Sequence, residues 1–146
     1  MYEVMIATTE HEREAAFTVR KKVFVEEQGV PLSMEIDEFD QSASHFIVYD
    51  GPKAIAAGRI RNIASDIGKV ERVCVLKEYR GKHLGVLIMN TLEEHAKKAG
   101  IQKILLNAQS HAIPFYEKLG YFVASPEFMD ADIPHRAMEK QINTTS

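Results

Sequence analysis

Apolar residues recur at steps of three and four along positions 84–99, and this spacing predicts an amphipathic helix with one buried face. The residues on that face are Leu84, Leu87, Ile88, Leu92, Ala96 and Ala99. Gly100 follows and is expected to end the helix. Apolar runs at 70–76 and 101–108 flank the helix and predict strands, the second one buried on both faces. The order strand, helix, strand predicts a parallel pair.

The first half of the chain predicts a strand, a helix and a hairpin. A strand is expected near Tyr2 to Ala7. The next helix begins with the capping-box pattern Thr9 to Glu12 and ends at Gly29-Val30-Pro31. Acidic residues continue to Asp40, where we expect a loop with at most a short turn of helix. Strands at 44–49 and 53–61 around the turn Asp50-Gly51-Pro52 then predict a hairpin.

The last third of the chain predicts shorter elements. Ser110 is expected to cap a helix from His111 to Leu119, which ends at Gly120. Two strands, at 121–124 and 135–141, are expected around a loop that holds Pro126 and Pro134. Residues 143–146 are expected to form a frayed tail.

A candidate anion site lies where the first strand of the parallel pair meets its helix. The segment there reads Arg80-Gly81-Lys82-His83-Leu84-Gly85. Its glycines allow backbone to approach a ligand, and the first N–H groups of a helix lack internal partners, so phosphate oxygens can bind them. Such a short string is also typical of an ordinary basic turn, so the surrounding sequence has to decide.

The surrounding sequence resembles one enzyme family over nearly the whole chain. Val73-Cys74-Val75, the segment 80–85 and Phe115-Tyr116-Glu117-Lys118-Leu119-Gly120-Tyr121-Phe122 are similar, in order and spacing, to the acetyl-CoA-binding core of the GNAT N-acetyltransferase superfamily. Further segments resemble its ElaA-like branch: 23–31, 35–40 with His45, 107–109 and Ile133-Pro134-His135. In one departure, His83 stands where the family's phosphate loop usually has its first glycine. Backbone donation survives this change if His83 takes a helical conformation.

The resemblance implies a fold and a reaction. The fold would be a single α/β domain over residues 1–146, with a mixed sheet of roughly seven strands and helices on both faces. The reaction would be transfer of the acetyl group of acetyl-CoA directly to a primary amine. The implied acetyl-CoA contacts are Val73, Cys74, Val75, Arg80, Gly81, Lys82, His83, Leu84, Gly85 and Gln109. The backbone of 73–75 would pair with the pantetheine arm beside a local splay of the two strands, and an N–H near Val75 would stabilise the oxyanion.

Tyr116 matches the family's general acid, although an ordinary core aromatic is the alternative. Glu71 is the first candidate for the general base, either directly or through water; it could equally be a surface carboxylate or a partner of Arg72. His111, Glu26 and Glu27 are further candidates for the base. A base matters most for an alkylamine, since an ammonium group with a pKa of about 10.4 is almost entirely protonated at neutral pH.

Other polar residues carry weaker interpretations. His135 could reach an acceptor pocket or satisfy buried backbone. Asp37, Asp40 and His45 have irregular spacing that matches no strong metal motif, so a solvated acidic loop is expected and no metal. That acidic stretch could attract a cationic acceptor or only keep the loop soluble. Cys74 lies in an apolar strand, where a structural thiol is expected rather than a nucleophile.

Composition limits the class of protein. The 146 residues are 45% apolar, which suits one domain with a sizeable core. Eighteen basic and 21 acidic residues give a net charge of -3, so no nucleic-acid partner is expected. The single cysteine excludes an internal disulfide and suits a reducing compartment. With no membrane-length apolar run and no signal-peptide pattern, a cytoplasmic protein without a membrane partner is expected, while a homodimer stays possible.

Two alternative functions differ from amine acetylation. A non-catalytic acyl-CoA-binding or sensing module could keep the phosphate loop and lack turnover. A nucleotide-phosphate enzyme could use residues 80–85, but the segment lacks the Gly-Lys-Ser or Gly-Lys-Thr ending of a P-loop. The small-molecule amine acceptor is not identified by the sequence.

Overall fold

A computed structural model describes residues 2–143, so most of the predicted frayed tail lies outside the described residues. The chain divides into two compact units. The first comprises Met1–Arg61 and Arg72–Leu92, and the second comprises Asn62–Glu71 and Glu93–Ser146. The expectation of a single domain stays a prediction.

The first unit begins with strand β1 (Tyr2–Ile6) and helix α1 (Glu10–Arg20). The predicted capping box is confirmed, because the Thr9 hydroxyl accepts from the Glu12 N–H at 3.1 Å and the Glu12 carboxylate accepts from the Thr9 N–H at 3.2 Å. A π-helical segment, Lys21–Glu27, continues α1. Gly29 then has a φ of 76°, a left-handed conformation that ends the helical run.

The acidic stretch forms two short turns of helix. Helix α2 (Leu32–Glu35) is followed by the 3₁₀ turn Glu38–Gln41, which the Asp37 side chain caps. Strands β2 (Ser44–Asp50) and β3 (Lys53–Ala64) then form the predicted antiparallel hairpin, and β1 pairs antiparallel with β2. The hairpin supplies much of the buried core of this unit, including Phe46, Ile47, Val48, Ile55, Ala56 and Ala57.

Strand β4 (Ile67–Val75) begins in the second unit and ends in the first. Helix α3 (Leu84–Lys98) begins in the first unit and ends in the second. The predicted helix face is confirmed for the buried residues Leu84, Ile88, Leu92 and Ala96. Leu87 is only half-buried, and Ala99, which follows the last residue of α3, is exposed.

The second unit contains the predicted parallel pair. Strand β5 (Lys103–Gln109) runs parallel to β4, with register from Ile67↔Lys103 to Val70↔Leu106. The expectation that β5 is buried on both faces is wrong. Ile104, Leu106 and Ala108 are buried while Asn107 is exposed, so burial alternates as it does in a strand with one buried face.

The end of the second unit departs from prediction at Ser110. This residue begins a 3₁₀ turn, Ser110–Ala112, ahead of helix α4 (Ile113–Lys118), and Ala112 is the residue that precedes α4. The Ser110 hydroxyl donates to the Glu127 carboxylate at 2.8 Å, so it does not cap the helix.

The last strands include one that was not expected. The strands are β6 (Phe122–Val123), β7 (Phe128–Asp130) and β8 (Ile133–Gln141), and both β6 and β7 pair antiparallel with β8. Strand β7 was not predicted, and β8 includes Pro134, which was expected in a loop. The β7–β8 turn has left-handed Ala131 (φ 51°) and Asp132 (φ 61°). Such two-residue turns favour Asn-Gly, Asp-Gly or Gly-Gly, and the pair Ala131-Asp132 gave no such signal in the sequence.

Strand pairing follows the order β1-β2-β3-β4-β5-β8-β6, with β7 also on β8, which makes eight strands within residues 2–143. Both parallel and antiparallel pairs occur, so the sheet is mixed as predicted. None of the helices formed by the described residues combines the length and apolar content needed to cross a bilayer.

Candidate active site

The loop before α3 turns through a left-handed glycine with open space beside it. Gly81 has a φ of 81°, and a Cβ added there would meet no described atom within 4 Å, so a ligand could approach this backbone closely. The Leu87 N–H donates to the His83 carbonyl at 3.2 Å, which makes His83 the residue that precedes the helix. The amides of the first turn that follows have no carbonyl one turn back within α3.

His83 is not helical, contrary to the condition under which its backbone was expected to donate. Its φ is 61°, in the left-handed region that glycine adopts without steric cost. The family's usual glycine at this position therefore has a conformational reason. Histidine is among the residues that tolerate the region better than most, and the exposed His83 keeps the turn.

Gly85 lies inside α3 and is not among the residues with positive φ. A side chain at this position would therefore not strain the backbone.

Arg80 is held by the protein itself. Its guanidinium forms two hydrogen bonds with the Glu27 carboxylate, each 2.6 Å long, and Nε donates to the Val75 carbonyl at 3.1 Å. Hydrogen bonds from Arg80 lower the pKa of Glu27, which makes it a weak base while the pair is intact. Lys82 is exposed on the same loop.

The segment Val73-Cys74-Val75 forms the end of β4. Cys74 is buried, and burial raises the pKa of its thiol to about 12. Thiolate is therefore scarce at neutral pH, as the expectation of a structural thiol requires. Just before this segment, Arg72 has a left-handed φ of 62°.

The acidic stretch is not a solvated loop, and this corrects the expectation for Asp37 and Asp40. Asp40 is 5% exposed and accepts hydrogen bonds from Arg20 at 2.6 Å and Arg59 at 2.7 Å. Glu35 is 2% exposed and accepts from Arg20 Nε at 2.6 Å. We call this group the carboxylate–arginine cluster; its members are Arg20, Glu35, Asp37, Asp40, Arg59 and Arg72. Because three arginines neutralise three carboxylates, these carboxylates are not available to attract a cationic acceptor.

Charge pairing sets the ionisation of the cluster. Burial works to raise the pKa of Asp40, but hydrogen bonds from Arg20, the Asp37 backbone and Arg59 outweigh it and lower the pKa to about 2. Burial raises the pKa of Glu35 despite the opposing charges of Arg72 and Arg20. His45 lies beside the cluster, where Nε2 donates to the Asp40 carbonyl at 2.8 Å and burial lowers the pKa of the ring. His45 is therefore a neutral structural residue.

In the second unit, Tyr116 lies in α4, within the predicted helix, and is half-buried. Its ring makes edge contacts with Phe115, at a centroid distance of 4.9 Å, and with Tyr121, at 5.9 Å. The Tyr121 hydroxyl donates to Glu93 at 2.8 Å, and Lys140 donates to the other oxygen of Glu93 at 2.9 Å. This buried network beside Tyr116 was missed from the sequence, where Glu93 reads as an ordinary helix residue.

The remaining candidates in this unit have different surroundings. Glu71 is half-buried, with its carboxylate 3.5 Å from the ammonium of Lys69. Gln109 ends β5 directly opposite His135 in β8, so these two predicted residues are cross-strand neighbours. His135 Nδ1 donates to the Ile133 carbonyl at 2.7 Å, and its ring stacks on Phe128. His111 is exposed in the middle of the turn before α4.

The fold agrees with comparisons to known proteins. A family model for the acetyltransferase (GNAT) domain matches residues 7–142. The uncharacterized N-acetyltransferase YjcF of Bacillus subtilis is 48% identical over 137 residues, covering 93% of this chain and 97% of that protein. The chain therefore belongs to the GNAT acetyltransferase family, and the predicted class, an acetyl-CoA-dependent N-acetyltransferase, is confirmed.

The predicted fold is confirmed as well, and the predicted resemblance to ElaA is found in both sequence and structure. The protein ElaA of Escherichia coli is 27% identical, with 88% of this chain and 86% of ElaA covered. The crystal structure of ElaA matches with a TM-score of 0.86 at 23% identity, covering 97% of this chain and 100% of that one. An acyl-CoA N-acyltransferase from Pseudomonas aeruginosa shares the fold with a TM-score of 0.84 at 24% identity, with coverages of 96% and 98%.

Proposed function

We propose that this enzyme transfers the acetyl group of acetyl-CoA directly to a primary amine of a small-molecule acceptor. The loop at 80–85 is the observation that carries the proposal. A left-handed Gly81 with open space beside it leads through His83 into the first turn of α3. Such a turn presents backbone N–H groups and the positive end of the helix dipole to a pyrophosphate.

The proposed contacts with acetyl-CoA follow from this loop. The backbone of Gly81 and the amides of Leu84 and Gly85 in the first turn of α3 bind the pyrophosphate, and Arg80 and Lys82 supply positive charge. Arg80 exchanges Glu27 for phosphate when the ligand binds, since both partners offer oxygen pairs to the same guanidinium. The backbone of 73–75 pairs with the pantetheine arm, and Gln109 at the end of β5 adds a polar contact.

The proposed chemistry needs an acid, a base and an oxyanion donor. The amine nitrogen forms a bond with the thioester carbonyl carbon, and the carbon–sulfur bond breaks. A backbone N–H near Val75 stabilises the oxyanion, Glu71 takes a proton from the amine directly or through water, and Tyr116 gives one to the sulfur. Support for Tyr116 comes from its position in α4 and its packing on Tyr121.

The transfer is proposed to be direct because the one cysteine is unsuited to carrying the acetyl group. Cys74 is 5% exposed, and its pKa is raised to about 12 by burial. We expect Cys74→Ala to keep turnover, and intact-protein mass spectrometry to find no acetylated enzyme during the reaction. The single cysteine also suits a reducing compartment, and we propose a cytoplasmic location.

The test is release of CoA thiol from acetyl-CoA with a panel of amines, polyamines, amino acids, aminoglycosides and peptides. An accepted amine gives steady thiol release together with an acetylated amine of the expected mass. Thiol release with free acetate as the product would instead indicate hydrolysis. Tight CoA binding with no turnover across the panel would overturn the proposal in favour of a binding or sensing module.

A further inference from the structure

Arg72 has a conformation that a long side chain rarely adopts within a strand. Its φ is 62°, and it lies within β4, two residues after the register with β5 reaches Val70. Arginine has a Cβ, so the left-handed conformation carries a steric cost that glycine would avoid. Such a residue persists where its surroundings hold it, and strained positions of this kind cluster at functional sites.

The surroundings of Arg72 consist of a segment four residues long. Nη2 donates to the Met34 carbonyl at 3.1 Å and to the Asp37 carboxylate at 3.2 Å. Nε donates to the Glu35 carbonyl at 3.2 Å and lies 3.1 Å from Glu35 Oε1. Four contacts from one guanidinium therefore end on residues 34–37.

That segment is in turn fixed by two buried arginines. Arg20, 1% exposed, donates to the Glu35 carboxylate and to the Glu35 carbonyl, both at 2.6 Å. Arg59, 0% exposed, forms two hydrogen bonds with Asp37, at 2.7 and 2.9 Å. Glu35 and Asp37 are thus each shared between a buried arginine and Arg72, and neither carboxylate is free to move.

We propose that Glu35 and Asp37 are positioning residues, which hold Arg72 in its left-handed conformation and thereby fix the backbone of Val73–Val75 for acetyl-CoA. The proposal rests on the proposed function in assigning residues 73–75 to the pantetheine arm. The proposal assigns the acidic stretch a role in positioning acetyl-CoA. The carboxylates act through Arg72 on backbone geometry and not on the substrate.

The test compares Asp37→Ala with Glu38→Gln, an adjacent exposed carboxylate that serves as a matched control for the loss of one charge. Two measurements are made on the full chain. Amide hydrogen exchange by NMR follows residues 73–75 in the free protein, with the amides of 46–48 in β2 as an internal reference. Calorimetry gives the dissociation constant for CoA.

We expect Asp37→Ala to speed exchange at 73–75 relative to 46–48 and to weaken CoA binding about 3- to 10-fold, as for other directly coupled residues. Glu38→Gln should change neither quantity. Arg72→Gly removes the need for support, because glycine adopts this φ unaided. In the Arg72→Gly background, Asp37→Ala should change CoA affinity by less than about 2-fold.

Two results would overturn the proposal. One is an Asp37→Ala variant, shown to be folded, that matches Glu38→Gln in both exchange and CoA affinity. The other is an effect of Asp37→Ala on CoA affinity that persists undiminished in the Arg72→Gly background. If Asp37→Ala does not fold, Asp37→Asn and Glu35→Gln, which keep the shape of the side chain, undergo the same comparison. A parent protein that binds no CoA would refute the proposed function, whereas the exchange measurement would still decide whether Asp37 holds Arg72.

Discussion

The guanidinium of Arg80 and the carboxylate of Glu27 form a two-point ion pair, with both nitrogen–oxygen distances at 2.6 Å. The two side chains are 41% and 36% exposed, so solvent screens the pair and its contribution to stability is small. The pair nevertheless engages the guanidinium of Arg80, which we propose binds phosphate. If Arg80 binds phosphate as proposed, CoA displaces Glu27 from Arg80.

Glu27→Gln should consequently tighten CoA binding by about 2- to 5-fold, the range expected for an exposed ion pair. The gain should disappear in the Arg80→Ala background and shrink in high salt. Calorimetry measures it, and Glu26→Gln is the control, since it removes the same charge from the neighbouring position. Equal gains from the two variants would show that Glu27 acts through general repulsion and not through Arg80.

Gly85→Val should fold normally and bind CoA at least about 10-fold more weakly. Position 85 is helical and valine is no worse than glycine in a helix, so the loss would come from bulk beside the proposed pyrophosphate. Gly85→Ala should lose less, and Arg80→Ala should act mildly, with an effect that salt reduces. Unchanged affinity in a folded Gly85→Val protein would require the assignment of 80–85 to the pyrophosphate to be withdrawn.

Tyr116→Phe should lower the rate of the chemical step by roughly 10²-fold or less, with little loss of stability, because the ring and its packing on Tyr121 are retained. The effect is bounded, since a thiol with a pKa of about 8.5 is already a fair leaving group without a proton. Single-turnover kinetics separates this step from product release. A single-turnover rate equal to that of the parent would remove Tyr116 from the mechanism.

His83→Gly should raise the free energy of unfolding by up to about 1 kcal/mol, since the left-handed conformation costs glycine nothing while its more flexible unfolded chain offsets part of the gain. Lys82→Gly is the matched control. Lys82 does not have this conformation, so there glycine should lower stability by about 0.5–1 kcal/mol. Urea denaturation measures both, and a destabilised His83→Gly protein would contradict the strain at this position.

Asp40→Asn should lower the free energy of unfolding near neutral pH, and this difference from the parent protein should disappear in acid. The folded pKa of Asp40, about 2, lies below its ordinary value of 3.8, so the ionised carboxylate stabilises the fold above pH 4. This contribution, about 2 kcal/mol, is lost as the pH falls from about 4 to 2. The pKa of Glu35 is raised, so its titration changes stability in the opposite direction. Glu35 is present in both proteins, so the comparison between them isolates Asp40.

Urea denaturation of the parent and of Asp40→Asn at several pH values between 7 and 2 checks this dependence. The gap between the two proteins should narrow below pH 4. A gap of constant size down to pH 2 would mean that Asp40 does not ionise with a lowered pKa in the folded state.

The sequence by itself determined the features that depend on neighbouring residues. Periodicity fixed α3, because burial of one helix face requires apolar residues three and four apart. The capping box at Thr9 and the hairpin around Gly51 were readable for the same local reason. The motif at 80–85 and Tyr116, with the order of the elements around them, indicated the family.

Only the tertiary structure decided how the charges pair and where the backbone is strained. Arg20 and Glu35 lie 15 residues apart, Arg72 and Met34 lie 38 apart, and Arg80 and Glu27 lie 53 apart. An acidic segment with distant arginines has the same local pattern as a solvated loop, so its burial could not be read from spacing. The left-handed φ of Arg72 and His83 is equally hidden, since neither residue type requires it and the surrounding contacts impose it.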